Sequence, residues 1–541
     1  MNDSVLDELR CDMLVEGACV STPFGDRRIT YADHIASGLP LASVEDRLRE
    51  AVLPLYANTH TEDSATGAHT TRLVHEASEY IKRQLGADAR FRLIFTGSGT
   101  TGAIKRMQEI LGLAVPSSLR ERVLAVLAPE ERPVVFVGPY EHHSNELSWR
   151  ESLAEVVRIP LDDRGAIDLG ALERALEDPR YAGRPKIGSF SAASNVTGIL
   201  TDVPAVARLL HAQRAAAFFD FAASAPYVTI DMRPGREDGI DALFLSPHKF
   251  VGGPGSPGLL LFDQGLYDQP SPTTAGGGTV SFVTASEQWY LDDIEAREDA
   301  GTPAILQKLR AAMAFEVKER VGAERIRARE EALIGRALAR LSRHPNLRLL
   351  GNLEAPRLAV VSFEVLAGGR TLHPRFVIRL LNDLFGIQGR AGCSCAGPYG
   401  HTLLGIEPTL SREVHEAIEA GFEAVRPGWS RLSFHYAIDD ETFAFLLDAV
   451  EFVAEHGARF VPLYRLDWRS GAWAHRKGDP ELPCGFDTRR WPAVSRSSRS
   501  AAEDHAAYLE QARALAAELS PKRGRGRLPD GLDPEVVGFL T

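Results

Sequence analysis

Short apolar runs and amphipathic helical stretches take turns along this chain from about residue 88, and no other feature constrains its fold as tightly. "RFRLIF" reads as a strand and "TGSGTTGAIKRMQEILGL" as a loop leading into a helix. "RPVVFVG", "EVVRIPL" and "PKIGSFSAAS" read as further strands. "DVPAVARLLHAQRA" carries apolar residues at helical spacing, and "AAFFDFA", "DALFLS" and "GLLLF" follow it. Strands that alternate with helices form a parallel or mixed sheet covered by helices on both faces. The predicted fold class is therefore α/β, with a large domain built on a mixed, mostly parallel sheet sandwiched by helices.

A long, charged helical stretch, "AGTPAILQKLRAAMAFEVKERVGAERIRAREEALIGRALARL", interrupts the alternation. Beyond it the strand "RLAVVSFEV", the helix "HPRFVIRLLNDLF", the strand "RLSFHYA" and the helix "DETFAFLLDAVEFVAEHG" make a second, smaller α/β unit. More than one domain is expected in 541 residues, because single cores stop growing near ~250–300 residues. The pattern predicts an N-terminal segment over 1–60 that packs on both domains, a large domain over 61–324, a small C-terminal α/β domain over 325–458 and an extension over 459–541. The extension holds "RRWPAVSRSSRSAAED" and "SPKRGRGRLPDG", which read as peripheral and partly disordered. No internal repeat is visible.

Charge and cysteine usage narrow the function classes. Lys and Arg number 61 against 73 Asp and Glu, a net −12, which excludes bulk attraction to nucleic acid or an anionic membrane. No apolar run of about 18 residues predicts a transmembrane helix. The start "MNDSVLDELRCDMLVEGACV" is acidic, which argues against a signal or transit peptide. The five cysteines are Cys11, Cys19, Cys393, Cys395 and Cys484. So sparse and odd a set suggests no disulfide framework and predicts a reducing, cytoplasmic location.

The polar residues at the strand ends carry the chemistry. "TGSGTTGA" exposes backbone N–H groups at a helix start, where the dipole favours an anion. It lacks the ending of a Walker A loop and the spacing of a dinucleotide fingerprint. A phosphate held by Thr100 and Thr101 is one reading, a plain strand-to-helix turn the other. Asp220 ends the strand "FFDFA", at the sheet edge where open α/β folds bind ligands. A carboxylate there pairs with a protonated ring nitrogen or caps a helix. Lys249, in "SPHKFVGGPGSPG", ends another strand. A surface lysine in a loop is one reading; a lysine in a dry pocket, which forms a Schiff base with an aldehyde, is the other, and the neighbouring Ser246 and His248, suited to donate to a phosphate, favour it. His142 and His143 follow "VVFVG"; without metal-ligand spacing around them, a flat imidazole for stacking on an aromatic cofactor is the alternative to a metal site. Asn195 in "SAASNVTG" is a fifth polar group. Taken in order, these residues suit pyridoxal 5′-phosphate, whose phosphate, ring nitrogen and aldehyde need such partners.

The ordered set "TGSGTTGAIK", "YEHHSNELSW", "SNVTGIL", "DFAASAP", "SPHKFVGGPGSPG", "EDAGTP" and "QGRAGCSCAGP" resembles the class V branch of the fold-type I pyridoxal-phosphate transferases. Within that branch the likeness is to the cysteine desulfurase and selenocysteine lyase group, and it covers roughly 20–457. The resemblance implies that Lys249 carries the cofactor as a Schiff base and later moves the Cα proton. It implies that Asp220 holds the pyridinium proton and that His142 stacks on the ring. Thr100, Thr101, Ser246 and His248 would bind the phosphate, with Thr302 of "AGTP" reaching the phosphate of a partner subunit in a homodimer with shared active sites. Asn195 would lie near the phenolic oxygen and the substrate, and Arg431 of "SRLSF" would clamp the carboxylate of a small amino-acid substrate. Cys395, five residues after Arg390, matches the desulfurase nucleophile. It would convert L-cysteine to L-alanine with an enzyme persulfide, for delivery to a sulfur-acceptor protein.

Several departures accompany the likeness, among them the lengthened loop "LAVPSSLRERVLAVLAPEERP", the long continuation "QGRAGCSCAGPYGHTLLGI" and the extra tail beyond 460. Ala223 stands three residues after Asp220, where the family usually has glutamine, and Cys393 stands where histidine is common. Rival readings on the same scaffold are an aminotransferase, a C–S lyase or an epimerase in which Cys395 is not catalytic. A non-enzymatic scaffold is a further reading, disfavoured by the retention of Lys249, Asp220 and His142.

Overall fold

The computed structural model describes residues 4–480, 491, 493–520, 526 and 528–540. Cys484 and parts of both Arg-rich runs lie outside these residues. The chain forms two compact units. One, the large-sheet unit, comprises Ala36–Asn195 and Ile199–Arg327; the other, the small-sheet unit, comprises Met1–Ile35, Val196–Gly198 and Ala328–Thr541.

The large-sheet unit contains all seven strands expected from the apolar runs. They are β1 (Phe91–Thr96), β2 (Val134–Val137), β3 (Glu155–Arg158), β4 (Lys186–Ser191), β5 (Ala216–Asp220), β6 (Ala242–Leu245) and β7 (Gly258–Asp263). Their spatial order is β1-β7-β6-β5-β4-β2-β3. Only β7 runs antiparallel to its neighbours; the remaining pairs are parallel. The mixed, mostly parallel sheet is thus present. Its middle strands are apolar on both faces, with Phe218, Phe219, Phe244, Leu245 and Leu259 to Phe262 fully buried. The helices α1 (Thr100–Ile110), α2 (His143–Arg150) and α3 (Val203–Ala212) alternate with them. Asp202 starts α3 by accepting the Ala205 N–H, with Pro204 in the first turn.

The long charged stretch is two helices, α4 (Ile305–Val321) and α5 (Ala323–Leu341). They part at Gly322, whose φ of 88° is open to glycine at little steric cost.

In the small-sheet unit, β8 (Val360–Ala367), β9 (Arg370–Leu372), β10 (Arg390–Gly392), β11 (Trp429–Ser433) and β12 (Phe539–Leu540) lie in the order β10-β11-β8-β9-β12. The helices include α6 (Pro374–Phe385), α7 (Gly397–Leu404), α8 (Pro408–Glu419), α9 (Asp440–Phe460) and α10 (Ala501–Glu518). Residues 459–541 contribute substantially here, where the sequence reads a peripheral extension. Tyr508, Leu509, Ala512, Ala516 and Leu540 join the core formed by Phe376, Leu380, Leu446 and Val450. His505 stacks on Phe445 at 3.8 Å. Asp504 bonds Arg28 at 3.0 Å, with both side chains buried. No helix among the described residues is long and apolar enough to cross a membrane.

Candidate active site

The carboxyl ends of β1, β2, β4, β5 and β6 share one edge of the large sheet, since these strands run the same way. That edge carries most of the residues singled out from the sequence. β1 turns through Gly97–Gly99 into α1, whose N-terminus has no side-chain cap. Gly258 makes the turn feasible: a Cβ there would lie 2.3 Å from the Gly99 carbonyl oxygen. The Thr100 N–H donates to Ser246 Oγ at 3.0 Å, so the hydroxyl proton of Ser246 remains to be donated elsewhere. His248 Nδ1 is buried without a hydrogen-bond partner. Burial, helped by the Lys249 charge and opposed by a backbone hydrogen bond at Ser98, lowers the His248 pKa. A Cβ built on Gly99 would sit 3.0 Å from both His248 Cε1 and Ser246 Oγ, so the glycine leaves a polar cradle at a helix N-terminus. Thr101 Oγ1 lies 2.7 Å from Ser144 Oγ.

After β2 the chain reaches Glu141 and His142. His142 Nδ1 accepts the Ser144 N–H at 3.1 Å and so caps α2. That bond fixes the imidazole's orientation and leaves the proton on the other nitrogen. The ring of His143 is 6.4 Å away and tilted by 49°. Glu141 is buried and held by four donors: the Gly138 N–H, the Asn145 amide, and the N–H and hydroxyl of Ser191. Burial still pushes its pKa up to about 7, and the charge of Asp220 adds to the shift.

Asp220 ends β5, 4% exposed. Its Oδ1 accepts the Ala222 N–H at 2.8 Å. Burial raises its pKa, while the Ala222 bond and the Lys249 charge oppose the rise. Lys249 lies in the short helical turn Pro247–Lys249 after β6. Gly38 packs against this turn, donating its N–H to the His248 carbonyl at 2.9 Å. A Cβ on Gly38 would lie 1.9 Å from the Phe250 carbonyl oxygen. Beneath it, Lys318 donates to the carbonyls of Ala225 and Val228, in the segment that follows Asp220. Asn195 is half-buried in the loop after β4, and Thr302 is exposed before α4. Ala223 is buried and brings no polar atom where the family's glutamine would.

The small-sheet unit holds the remaining predicted residues. Arg431 on β11 is buried and pairs in register with Arg390 on β10. Both guanidiniums reach Asp33: Arg431 Nη2 at 2.9 Å from Oδ1 and Arg390 Nε at 2.9 Å from Oδ2. Two cations against one carboxylate leave one net positive charge. Directly after β10, the Cys393 carbonyl accepts the Ala396 N–H at 3.1 Å and closes a tight turn. Its two middle residues, Ser394 and Cys395, have φ of 49° and 55°. Left-handed residues other than glycine cost about 1–3 kcal/mol each and cluster at functional sites. Cys395 is exposed and Cys393 half-buried.

Two residues that belong to this arrangement were absent from the sequence expectations. Glu141 carries a readable signal, a charge four residues after the apolar run "VVFV". Asp33 carries none, because its partner Arg431 is 398 positions away. As for the cofactor, the residues suit pyridoxal phosphate. The buried His248 nitrogen, the Ser246 hydroxyl and the uncapped start of α1 match a phosphate. A buried carboxylate raised by desolvation matches a cationic ring nitrogen.

A mixed seven-stranded sheet with a lysine and an aspartate at its carboxyl edge defines the fold-type I pyridoxal-phosphate class. The family model described as Aminotransferase class-V matches residues 30–441, and the chain belongs to that family of pyridoxal-phosphate enzymes. A cysteine desulfurase of Synechococcus elongatus is 30% identical over 388 residues, covering 71% of this chain and 57% of that protein. A probable cysteine desulfurase of Halalkalibacterium halodurans is 27% identical over 374 residues, 68% of this chain and 84% of that protein. Among solved structures, the apo cysteine desulfurase of Thermococcus onnurineus NA1 superposes with a TM-score of 0.65 at 23% identity, covering 83% of this chain and 98% of that one. At that identity the last likeness speaks for the fold.

Proposed function

We propose that the chain is a cysteine desulfurase that converts L-cysteine to L-alanine and leaves the sulfur on Cys395. The observation that carries this reading is the ladder pairing of Arg390 with Arg431. The strand that launches the Cys395 turn is thereby bonded to the strand bearing the proposed carboxylate clamp. Bound pyridoxal phosphate supplies an electron sink that acidifies Cα of the amino acid and loosens its Cβ–S bond.

The chain's own residues do the rest. Thr100, Thr101, Ser246 and His248 hold the phosphate, Asp220 accepts the ring N–H, and His142 lies against the ring. Asn195 bonds the phenolic oxygen and the substrate. Lys249 takes the Cα proton. Arg431, oriented by Asp33, binds the substrate carboxylate with the two-pronged geometry of a guanidinium. The Cys395 thiolate attacks the substrate sulfur. A new S–S bond forms, the Cβ–S bond breaks, and its electron pair stays with the carbon skeleton, which is protonated to alanine. The working state in this reading is a homodimer, and the exposure of Thr302 on the single chain agrees with service to a partner's phosphate. A thiol-bearing acceptor protein then removes the sulfur.

Incubating the purified protein with a panel of amino acids, and assaying alanine, sulfide and pyruvate, tests the proposal. Alanine with sulfide in the presence of reductant is expected from L-cysteine, and alanine with selenide from its selenium analogue. Pyruvate in place of alanine would replace the desulfurase with a β-eliminating C–S lyase.

A further inference from the structure

The turn that carries Cys395 starts at a second thiol. Cys393 and Cys395 are two residues apart, so their Cα atoms are at most about 7 Å apart, within the reach of sulfur-to-sulfur exchange. The two thiols face different surroundings. Cys395 is exposed at the turn's strained corner. Cys393 is half-buried and lines a cleft of about 300 Å³ with His401, His415, Arg426 and Trp429. Arg426 is bidentate with Glu423, at 2.9 and 3.0 Å. That pairing fixes the guanidinium in place and offsets part of its charge, and the electrostatic interaction between Arg426 and the Cys393 side chain puts this cation within reach of the thiol.

We propose that Cys393 is the second station of the sulfur: it takes the persulfide sulfur from Cys395 and keeps it in the cleft beside Arg426. This rests on the desulfurase reading above. The Cys393 thiolate attacks the outer sulfur of the Cys395 persulfide. An S–S bond forms at Cys393 and the S–S bond at Cys395 breaks. The electron pair leaves with the Cys395 thiolate, which takes up the proton that Cys393 gave up. Nothing is oxidised or reduced overall. A persulfide is a stronger acid than its thiol and is anionic near neutral pH, so a neighbouring cation favours the Cys393 position. Attack on the inner sulfur would instead expel sulfide and close a disulfide over one intervening residue. Disulfide geometry is narrow, and the strained turn leaves little room to meet it.

The test locates the sulfur by mass. Holoenzyme is given a short pulse of L-cysteine without reductant, alkylated and digested, and the peptide spanning both cysteines is fragmented. The expected result is that most of the added sulfur sits on Cys393, and that Arg426→Gln shifts its distribution several-fold toward Cys395. Sulfur confined to Cys395 in the wild-type protein would overturn the relay and leave the desulfurase reading intact. A Cys393–Cys395 disulfide with free sulfide would do the same. No sulfur on either cysteine would overturn both readings. The wild-type measurement decides without any variant, so a misfolded substitution cannot blur it.

Discussion

Glu141 sits fully buried in the segment that follows β2, its pKa pushed up from 4.5 to about 7 by burial. The sign of its effect on stability follows from linkage. The folded protein holds a proton that the unfolded chain has already released, so this group's contribution is complete below about pH 4.5 and is lost as pH rises through about 7. Glu141→Gln has no such charge to bury. Its melting temperature relative to wild type is expected to rise steadily between those two values, by the equivalent of about 3 kcal/mol at most. A pH-independent difference would show that Glu141 keeps an ordinary pKa. Lys249 makes a simpler prediction. Wild-type protein saturated with pyridoxal phosphate should absorb near about 420 nm through its lysine adduct, and Lys249→Ala should lack that band. Both residues stood in readable places, a lysine and a glutamate each four residues after an apolar run. The partners of Glu141 (Gly138, Asn145 and Ser191) come together only when β2 and β4 pair.

Among the elements, the strands of the large sheet were legible because they are buried on both faces and therefore continuously apolar. Their order was not, because pairing is decided by contacts between distant segments; β7 slips between β1 and β6 with nothing local to announce it. The turn from Cys393 to Ala396 was hidden too, since Ser and Cys are unusual at left-handed positions. The turn that holds Lys249 depends on an element outside the motif. Gly38 lies more than two hundred positions upstream, and its hydrogen takes the place where a methyl would strike the Phe250 carbonyl at 1.9 Å. Gly38→Ala must shift one backbone or the other. It is expected to destabilise the protein by about 1–3 kcal/mol, as overpacking does, and to lower the amount of pyridoxal phosphate retained through gel filtration. Unchanged cofactor content and an unchanged denaturation midpoint would show that the turn does not need this close approach.

At the scale of the whole molecule, the two ends of the chain build one core. Arg28 and Asp504 meet in the small-sheet unit across 476 positions, and α10 fills space beside α9. A tail of Arg-rich runs flanking an alanine-rich helix gave little sign of this, because alanines bury little apolar area and β12 is two residues long. Asp504→Ala leaves the buried Arg28 with the outer carboxylate of Glu16 and the Arg499 carbonyl, and without its buried counter-ion. A loss of about 3 kcal/mol in a urea titration is expected, as when one member of a buried ion pair is removed. An unaltered midpoint would mean that the tail is dispensable to the fold. The central claim is chemical, and it concerns which atom receives the sulfur. It is tested most directly by single-turnover formation of alanine from L-cysteine in wild type and in Cys395→Ala, each loaded with pyridoxal phosphate. The account predicts one alanine per active site in the wild type and none above background in the variant. Equal alanine from both would contradict it.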